Sequence, residues 1–264
     1  MAYGLHSRLE RLNYYFIRDN HHQKINENLG FTKAHHFVLG YDISTSEFTR
    51  LKIETYYQHL FDIPISGEGS FSLINQQNDW FFDGQLYNRG IGRNYGLDVT
   101  FEKYFSRGYY YMATASLFDS QYKGADNIWR NTRYNRHFSF NLLAGKEWLS
   151  GKNKNRILGL NARMNYQGGD RYSPINTALS IARQEVVFDE SNAFSKQFSP
   201  AFVVHFTASY KVNKKKTMHE FALKVINLTQ FKEYSGFRYN LQTQTVDVER
   251  EATFVPNVSY KIEF

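Results

Sequence analysis

The residues with the greatest chemical potential are paired histidines, scattered carboxylates and a glycine-rich run, and their spacing argues against each as a reaction centre. His21-His22 and His35-His36 are candidate metal ligands. His35 and His36 fall in an alternating segment, where neighbours point to opposite faces, so one ion cannot easily take both. His21 and His22 fall in a loop and would need further ligands. Asp98, Glu102 and Glu147 are candidate paired carboxylates for hydrolysis, but they suit the polar wall of a water-filled lumen equally well. Serine, histidine and aspartate are present without a spacing that identifies a triad. Gly90-Ile91-Gly92-Arg93-Asn94-Tyr95-Gly96 superficially looks like a phosphate loop. Its third glycine is one position late, and a strand follows where a helix should. The expectation is a protein that is not an enzyme, with no catalytic residues, no metal and no cofactor.

The elements that would position such residues must be built without staples. The 264-residue chain has no cysteine, which excludes a disulfide framework and zinc-thiolate sites. Its formal charge is +7, but the charges are dispersed, and the densest cluster, Lys214 to Lys216, reads as a turn. No nucleic-acid-binding module is recognisable, so no nucleic acid partner is expected. Apolar runs are too short for a membrane helix. A membrane barrel stays open, because its strands need only about ten residues of alternating polarity. Residues Met1 to Phe16 carry Arg8, Glu10 and Arg11 where the apolar centre of an export signal would sit. An exported protein with this sequence would therefore be trimmed, or the chain would begin inside a longer one.

A period of two recurs along the chain. At the end, Phe254, Pro256, Val258, Tyr260, Ile262 and Phe264 share one face, and Asn257, Ser259, Lys261 and Glu263 the other. The same alternation predicts strands over His35–Ser44, Leu51–Phe61, Asn94–Glu102, Phe138–Glu147, Leu158–Gln167 and Phe202–Val212. It is weaker over Tyr109–Asp119 and Thr217–Leu228, and weakest over Ala2–Phe16. That gives about ten strands. Short connections are expected at Thr45–Glu47, Ser106–Gly108, Ser150–Asn155 and Asn213–Lys216. Long ones are expected near Ile17–Lys33, Asp62–Gly90, Gln121–Arg136, Gly168–Ser199 and Thr229–Ala252. Short turns alternating with long loops are the layout of an antiparallel transmembrane β-barrel, not of a sandwich. Tyrosines near strand ends (Tyr104, Tyr109, Tyr110, Tyr166, Tyr210) suit interfacial girdles. The loop Gly168–Ser199 carries Arg171, Tyr172, Arg183, Glu185 and Phe188, a mixture suited to a polar ligand or to ordinary solvation. The residues identify no individual ligand contact.

Three stretches and the C-terminus carry a family resemblance. Val258, Tyr260, Ile262 and the terminal Phe264 resemble the assembly signal of bacterial outer-membrane proteins. Val225-Ile226-Asn227-Leu228-Thr229 resembles the Val-x-Asn-Leu-Thr stretch near the penultimate strand of TonB-dependent receptors, with Gln230 replacing a frequent asparagine. Asn88 to Leu97, and Asn141 to Trp148 followed by Gly168 to Ile175, resemble the same family, especially its Bacteroidetes type. The resemblance implies that residues 1–264 are the C-terminal part of a larger barrel of roughly 22 strands, with the plug domain absent. It implies outer-membrane import of a scarce nutrient such as an iron chelate, a cobalamin or a glycan. The partners would be outer-membrane lipids and lipopolysaccharide, the barrel assembly machinery, the missing N-terminal barrel and plug, and TonB only through that plug. The alternative is a self-closed outer-membrane barrel acting as a hydrolase or a passive pore.

Overall fold

The computed structural model describes residues 1–76 and 82–264. Ten strands form one antiparallel sheet in simple chain order. They are β1 (Ala2–Arg8), β2 (Thr32–Ser46), β3 (Thr49–Ser66), β4 (Leu86–Ser106), β5 (Tyr109–Lys123), β6 (Phe138–Ser150), β7 (Arg156–Gln167), β8 (Ala201–Asn213), β9 (Met218–Ile226) and β10 (Val255–Glu263). A three-residue strand, Trp129–Asn131, adds to the upper end of β5. The alternation of short turns and long loops is as expected. Two expectations change. The first segment is a strand only to Arg8, and a helical turn, Leu12–Tyr15, follows. β3 and β4 run far into the expected loop, reaching 18 and 21 residues. The expected connection from Asp62 to Gly90 also includes residues 77–81, which lie outside the described residues.

Directly paired residues on neighbouring strands share a face, so the register shows what each surface is made of. One row reads Tyr41, Ile53, Val99, Ala115, Phe140, Tyr166 and Phe202. A row on the other face reads Asp42, Lys52, Thr100, Thr114, Asn141, Asn165 and Val203. The polar face is internally hydrogen-bonded. Asn165 Nδ2 donates to Asn141 Oδ1 at 2.7 Å, and Asn141 Nδ2 to Thr114 Oγ1 at 3.2 Å. Higher up, Ser120 Oγ donates to Asn94 Oδ1, and Asn94 Nδ2 to Gln58 Oε1. Among the described residues nothing packs over the middle of the apolar face: Phe140 and Leu142 are 39% and 38% exposed. A surface of this kind, unbroken across seven strands, requires a hydrocarbon solvent.

Aromatic rows bound that surface above and below. Tyr3, Phe37, Tyr57 and Tyr95 pair in one row near the long loops. The aromatic band then steps down the register to Phe138, and again to Phe140, Tyr166 and Phe202. Tilted strands produce such stepping, because a membrane plane cuts the register rows obliquely. Trp148, Leu158, Tyr210, Phe221 and Tyr260 form the row near the short turns. From Phe140 to Trp148, and from Phe202 to Tyr210, each strand takes about nine residues, the length that crosses a bilayer at a steep tilt. Lys146 points toward the lower interface, with its ammonium 5.1 Å from the Trp148 ring centre.

Two glycines on the polar face hold large rings. A Cβ on Gly96 would sit 2.8 Å from Tyr56 Oη, and one on Gly145 would run into the Tyr110 ring. Tyr110 also donates to Asn161 Oδ1 at 2.6 Å. The absent side chains let these rings lie flat across neighbouring strands.

Burial of the ordinary kind occurs at the long-loop end. Tyr14, Ile17, Leu29, Leu73 and Leu86 form a buried cluster, and Phe71 and Phe82, stacked on each other at 4.0 Å between ring centres, pack against it. The sheet itself stays open: among the described residues, β1 and β10 each pair on one side only.

Candidate functional site

The same end of the sheet holds a cavity of about 310 Å³. The connection after β3 supplies Ser70 to Ser72, Asn75 and Gln76. β5 supplies Tyr122, and the next loop Arg133. The loop between β7 and β8 supplies Tyr172, Ser173, Phe188, Glu190 and Phe194. A hairpin between β9 and β10, Glu233–Asn240 with Thr245–Glu251, supplies Tyr234 and Phe237. Residues far apart in sequence converge because every long connection leaves the sheet at one end.

The wall is largely aromatic. Phe237 packs with Phe188 at 5.6 Å, Tyr234 at 5.2 Å and Tyr172 at 5.4 Å, and Tyr122 meets Phe194 edge-on at 6.2 Å. Polar atoms punctuate it. Ser70 Oγ donates to Glu190 Oε2 at 3.1 Å, and Asn75 Oδ1 accepts from the Arg133 backbone at 2.9 Å. Asn75 Nδ2 and Ser72 Oγ are buried without a hydrogen-bond partner among the described residues, in residues only 7% and 2% exposed. Such groups are costly unless something supplies the missing bond. No carboxylate pairs with Arg133 among the described residues. Burial pushes the Tyr122 phenol up and the Tyr234 phenol up to about 12, so both remain neutral donors. The arrangement offers ring faces for stacking and several donors for an oxygen-bearing ligand.

The two loop segments that close the cavity are fixed by local chemistry. Asn176 caps the helix Thr177–Arg183 by accepting from Leu179 N at 3.1 Å. Asp189 accepts from Ser191 N, and the Asn192 and then the Ser191 side chain hold its carboxyl below the usual range. At the other side, Asn227 adopts a φ of +54° as β9 ends. Its side chain donates to Phe231 O at 2.9 Å and accepts from Phe231 N at 3.0 Å, while Thr229 Oγ1 donates to Phe202 O at 2.9 Å. In the Val-Ile-Asn-Leu-Thr stretch, Val225 and Ile226 therefore end β9, and Asn227 to Thr229 form the turn that launches the hairpin over the cavity.

Of the loop residues singled out from sequence, Tyr172 and Phe188 line the cavity. Arg171 does not: it is buried against Asn135 O at 2.9 Å and His137, and burial lowers its pKa. Arg183 and Glu185 form an exposed pair at 3.9 Å. Tyr122, Arg133, Tyr234 and Phe237 were missed, because only the fold brings them together. His35 and His36 point to opposite faces, toward Tyr3 and Phe61 and toward His6 and Tyr56 respectively. Gly90 to Gly96 lie within β4. No group of metal-ligating side chains occurs among the described residues. Asp98, Glu102 and Glu147 lie along the polar face without converging, and Glu102 pairs with Arg50. Val258, Tyr260 and Ile262 lie on one face of β10, where Tyr260 packs on Phe221 at 4.7 Å.

No family model matches the chain, and no curated protein matches it in sequence. Solved structures do match its fold. The ferric preacinetobactin receptor of Acinetobacter baumannii aligns with a TM-score of 0.61 at 13% identity, over 89% of this chain and 30% of its own. The ferric yersiniabactin uptake receptor of Yersinia pestis gives 0.57 at 13% identity, over 89% and 30%. The ferric-catecholate import receptor of Escherichia coli K12 gives 0.57 at 12% identity, over 99% and 32%. The chain thus spans about a third of the length of these receptors. At such identities the likeness defines the fold: an antiparallel partial barrel of the outer-membrane receptor kind.

Proposed function

We propose that this chain is the C-terminal part of a TonB-dependent outer-membrane receptor, whose long loops capture a scarce nutrient outside the cell for import. The aromatic cavity at the long-loop end carries the reading. In outer-membrane barrels the long loops face outward, and on this reading the cavity would lie where a ligand first arrives. The likeness to receptors for ferric preacinetobactin, ferric yersiniabactin and ferric catecholates favours an iron chelate, and the ring-lined wall also suits a cobalamin or a glycan. The sequence motifs support a Bacteroidetes-type receptor. The open edges of β1 and β10 would pair with the remaining barrel strands, since an unpaired amide in lipid costs several kcal/mol. A plug enclosed by the complete barrel would take the signal from TonB. Val258, Tyr260, Ile262 and Phe264 would be read by the assembly machinery, and the apolar belt would sit among outer-membrane lipids and lipopolysaccharide.

The test is a ligand screen on the complete receptor, with ferric chelates, cobalamins and oligosaccharides. Tyr172→Ala with Phe237→Ala should weaken binding and uptake of the recognised ligand by about tenfold or more. Arg183→Ala, away from the cavity, should leave both unchanged. Equal loss in the two variants, or none in the first, would remove the cavity from the proposal.

A further inference from the structure

A second feature lies on the outside of the barrel wall, level with the loops. Arg93 and Lys123 both approach the Trp129 ring, at 4.3 Å and 5.1 Å from its centre. All three side chains belong to the outer face. Arg93 continues the row of Val99, Leu97 and Tyr95 along β4, and Trp129 pairs directly with Lys123. Arg93 is anchored by donating from Nε and Nη2 to Gln121 Oε1, and Lys123 Nζ donates to Asn127 Oδ1 at 2.8 Å. Arg89, on the same face, lies over Tyr87 at 4.9 Å.

These cations have no carboxylate partner among the described residues. The nearby acids are engaged elsewhere: Asp62 with Lys33, Asp126 with Arg130, and Asp119 with Tyr95 and Asn135. Their height is also specific. Arg93 stands two residues above girdle residue Tyr95, about 7 Å along the strand, where headgroups begin and acyl chains end. Two anchored cations over an exposed indole, directly above an aromatic girdle, make a fixed patch of positive charge facing lipid headgroups.

We propose that the wall around Arg93, Lys123 and Trp129 binds a phosphate group of a phosphorylated glycolipid in the outer leaflet. The guanidinium and ammonium meet phosphate oxygens, and Trp129 lies against the sugar that bears them. The acyl chains run down over Tyr57, Tyr95 and Leu97. The inference rests on the outer-membrane reading above, but not on what the cavity binds.

The experiment measures lipid retained by the complete receptor in detergent, by native mass spectrometry. The probes are lipopolysaccharide, its dephosphorylated form and phosphatidylglycerol, each with inorganic phosphate as competitor. Lipopolysaccharide should be retained over both other lipids, and free phosphate should not displace it. Arg93→Ala with Lys123→Ala should lower that retention about tenfold, whereas Arg93→Lys with Lys123→Arg should keep it. Lys214→Ala with Lys215→Ala, in a turn at the opposite end, is the control. Equal retention of the dephosphorylated form, equal retention of phosphatidylglycerol, or full retention by the alanine variant would overturn the assignment. If the alanine pair fails to fold, the charge-keeping pair and Lys123→Ala alone decide by the same criteria. A receptor that does not enter lipid vesicles would defeat the membrane reading itself, and this site with it.

Discussion

Leu73 and Val99 are both shielded from water, but by different media. Leu73 is buried in the loop cap among Tyr14, Ile17, Leu29 and Leu86. Val99 sits mid-strand in an apolar row whose Phe140 and Tyr166 are exposed, with nothing among the described residues laid over them. The cap folds as a soluble protein does, by packing side chain on side chain. The sheet instead depends on hydrocarbon outside and on hydrogen-bonded polar rows inside. One chain thus uses two solvents, and the same substitution should have different consequences in each.

The largest contrast is between adjacent residues on β4. Val99 faces lipid midway between the girdles, and Thr100 faces the lumen in the row of Thr114 and Asn141. Val99→Arg should destabilise the complete barrel by about 2–4 kcal/mol, and Thr100→Arg by much less. Denaturant-dependent folding into vesicles measures both. Equal costs would mean that the faces are wrongly assigned. Next comes Leu73→Ala, which should cost about 2–3 kcal/mol within the cap. Its signature is location: amide exchange should accelerate around Leu73 and in residues 9–31 while β5 to β8 stay protected. A uniform acceleration through the strands would show that cap and wall are one cooperative unit rather than two.

How far the sequence reveals each region follows from the same contrast. Alternation is a local signal, so the rows through Phe140, Tyr166 and Phe202 are readable residue by residue. It fails where the local rule fails. Asp62, at a φ of +55°, and the register shift between Leu60 and Ile63 interrupt the period, so the upper reaches of β3 and β4 look like loop. The hairpin Glu233–Asn240 with Thr245–Glu251 is likewise hidden, because it lies off the main sheet and lacks the long apolar stripe of its neighbours. The cavity was the least legible feature. Tyr122 and Tyr234 both read as loop, although Tyr122 lies in β5, and only topology brings them to one wall. Asn227 is intermediate: its motif is visible in sequence, but its role as a turn-forming cap emerges from its hydrogen bonds.

The finest distinction between cap and wall is one of protonation. Burial raises the Tyr234 phenol to about 12, above the ordinary value near 10. Between these limits the loosened cap releases the proton and the packed cap keeps it. Stability from this group is therefore complete below about pH 10 and is lost as pH rises toward 12. Tyr122, also raised by burial, adds to the trend in the same direction. Hydrogen exchange in the hairpin around Tyr234 should accelerate over that window, after correction for intrinsic rates. Tyr234→Phe removes the titrating group, so its hairpin should show a shallower pH dependence, and the high-pH phenolate absorbance should lose one late component. The lipid-facing strands carry no such burden from this residue, and their protection should stay level. If hairpin and strands loosened together, with Tyr234→Phe making no difference, titration in the cap would not be what opens it.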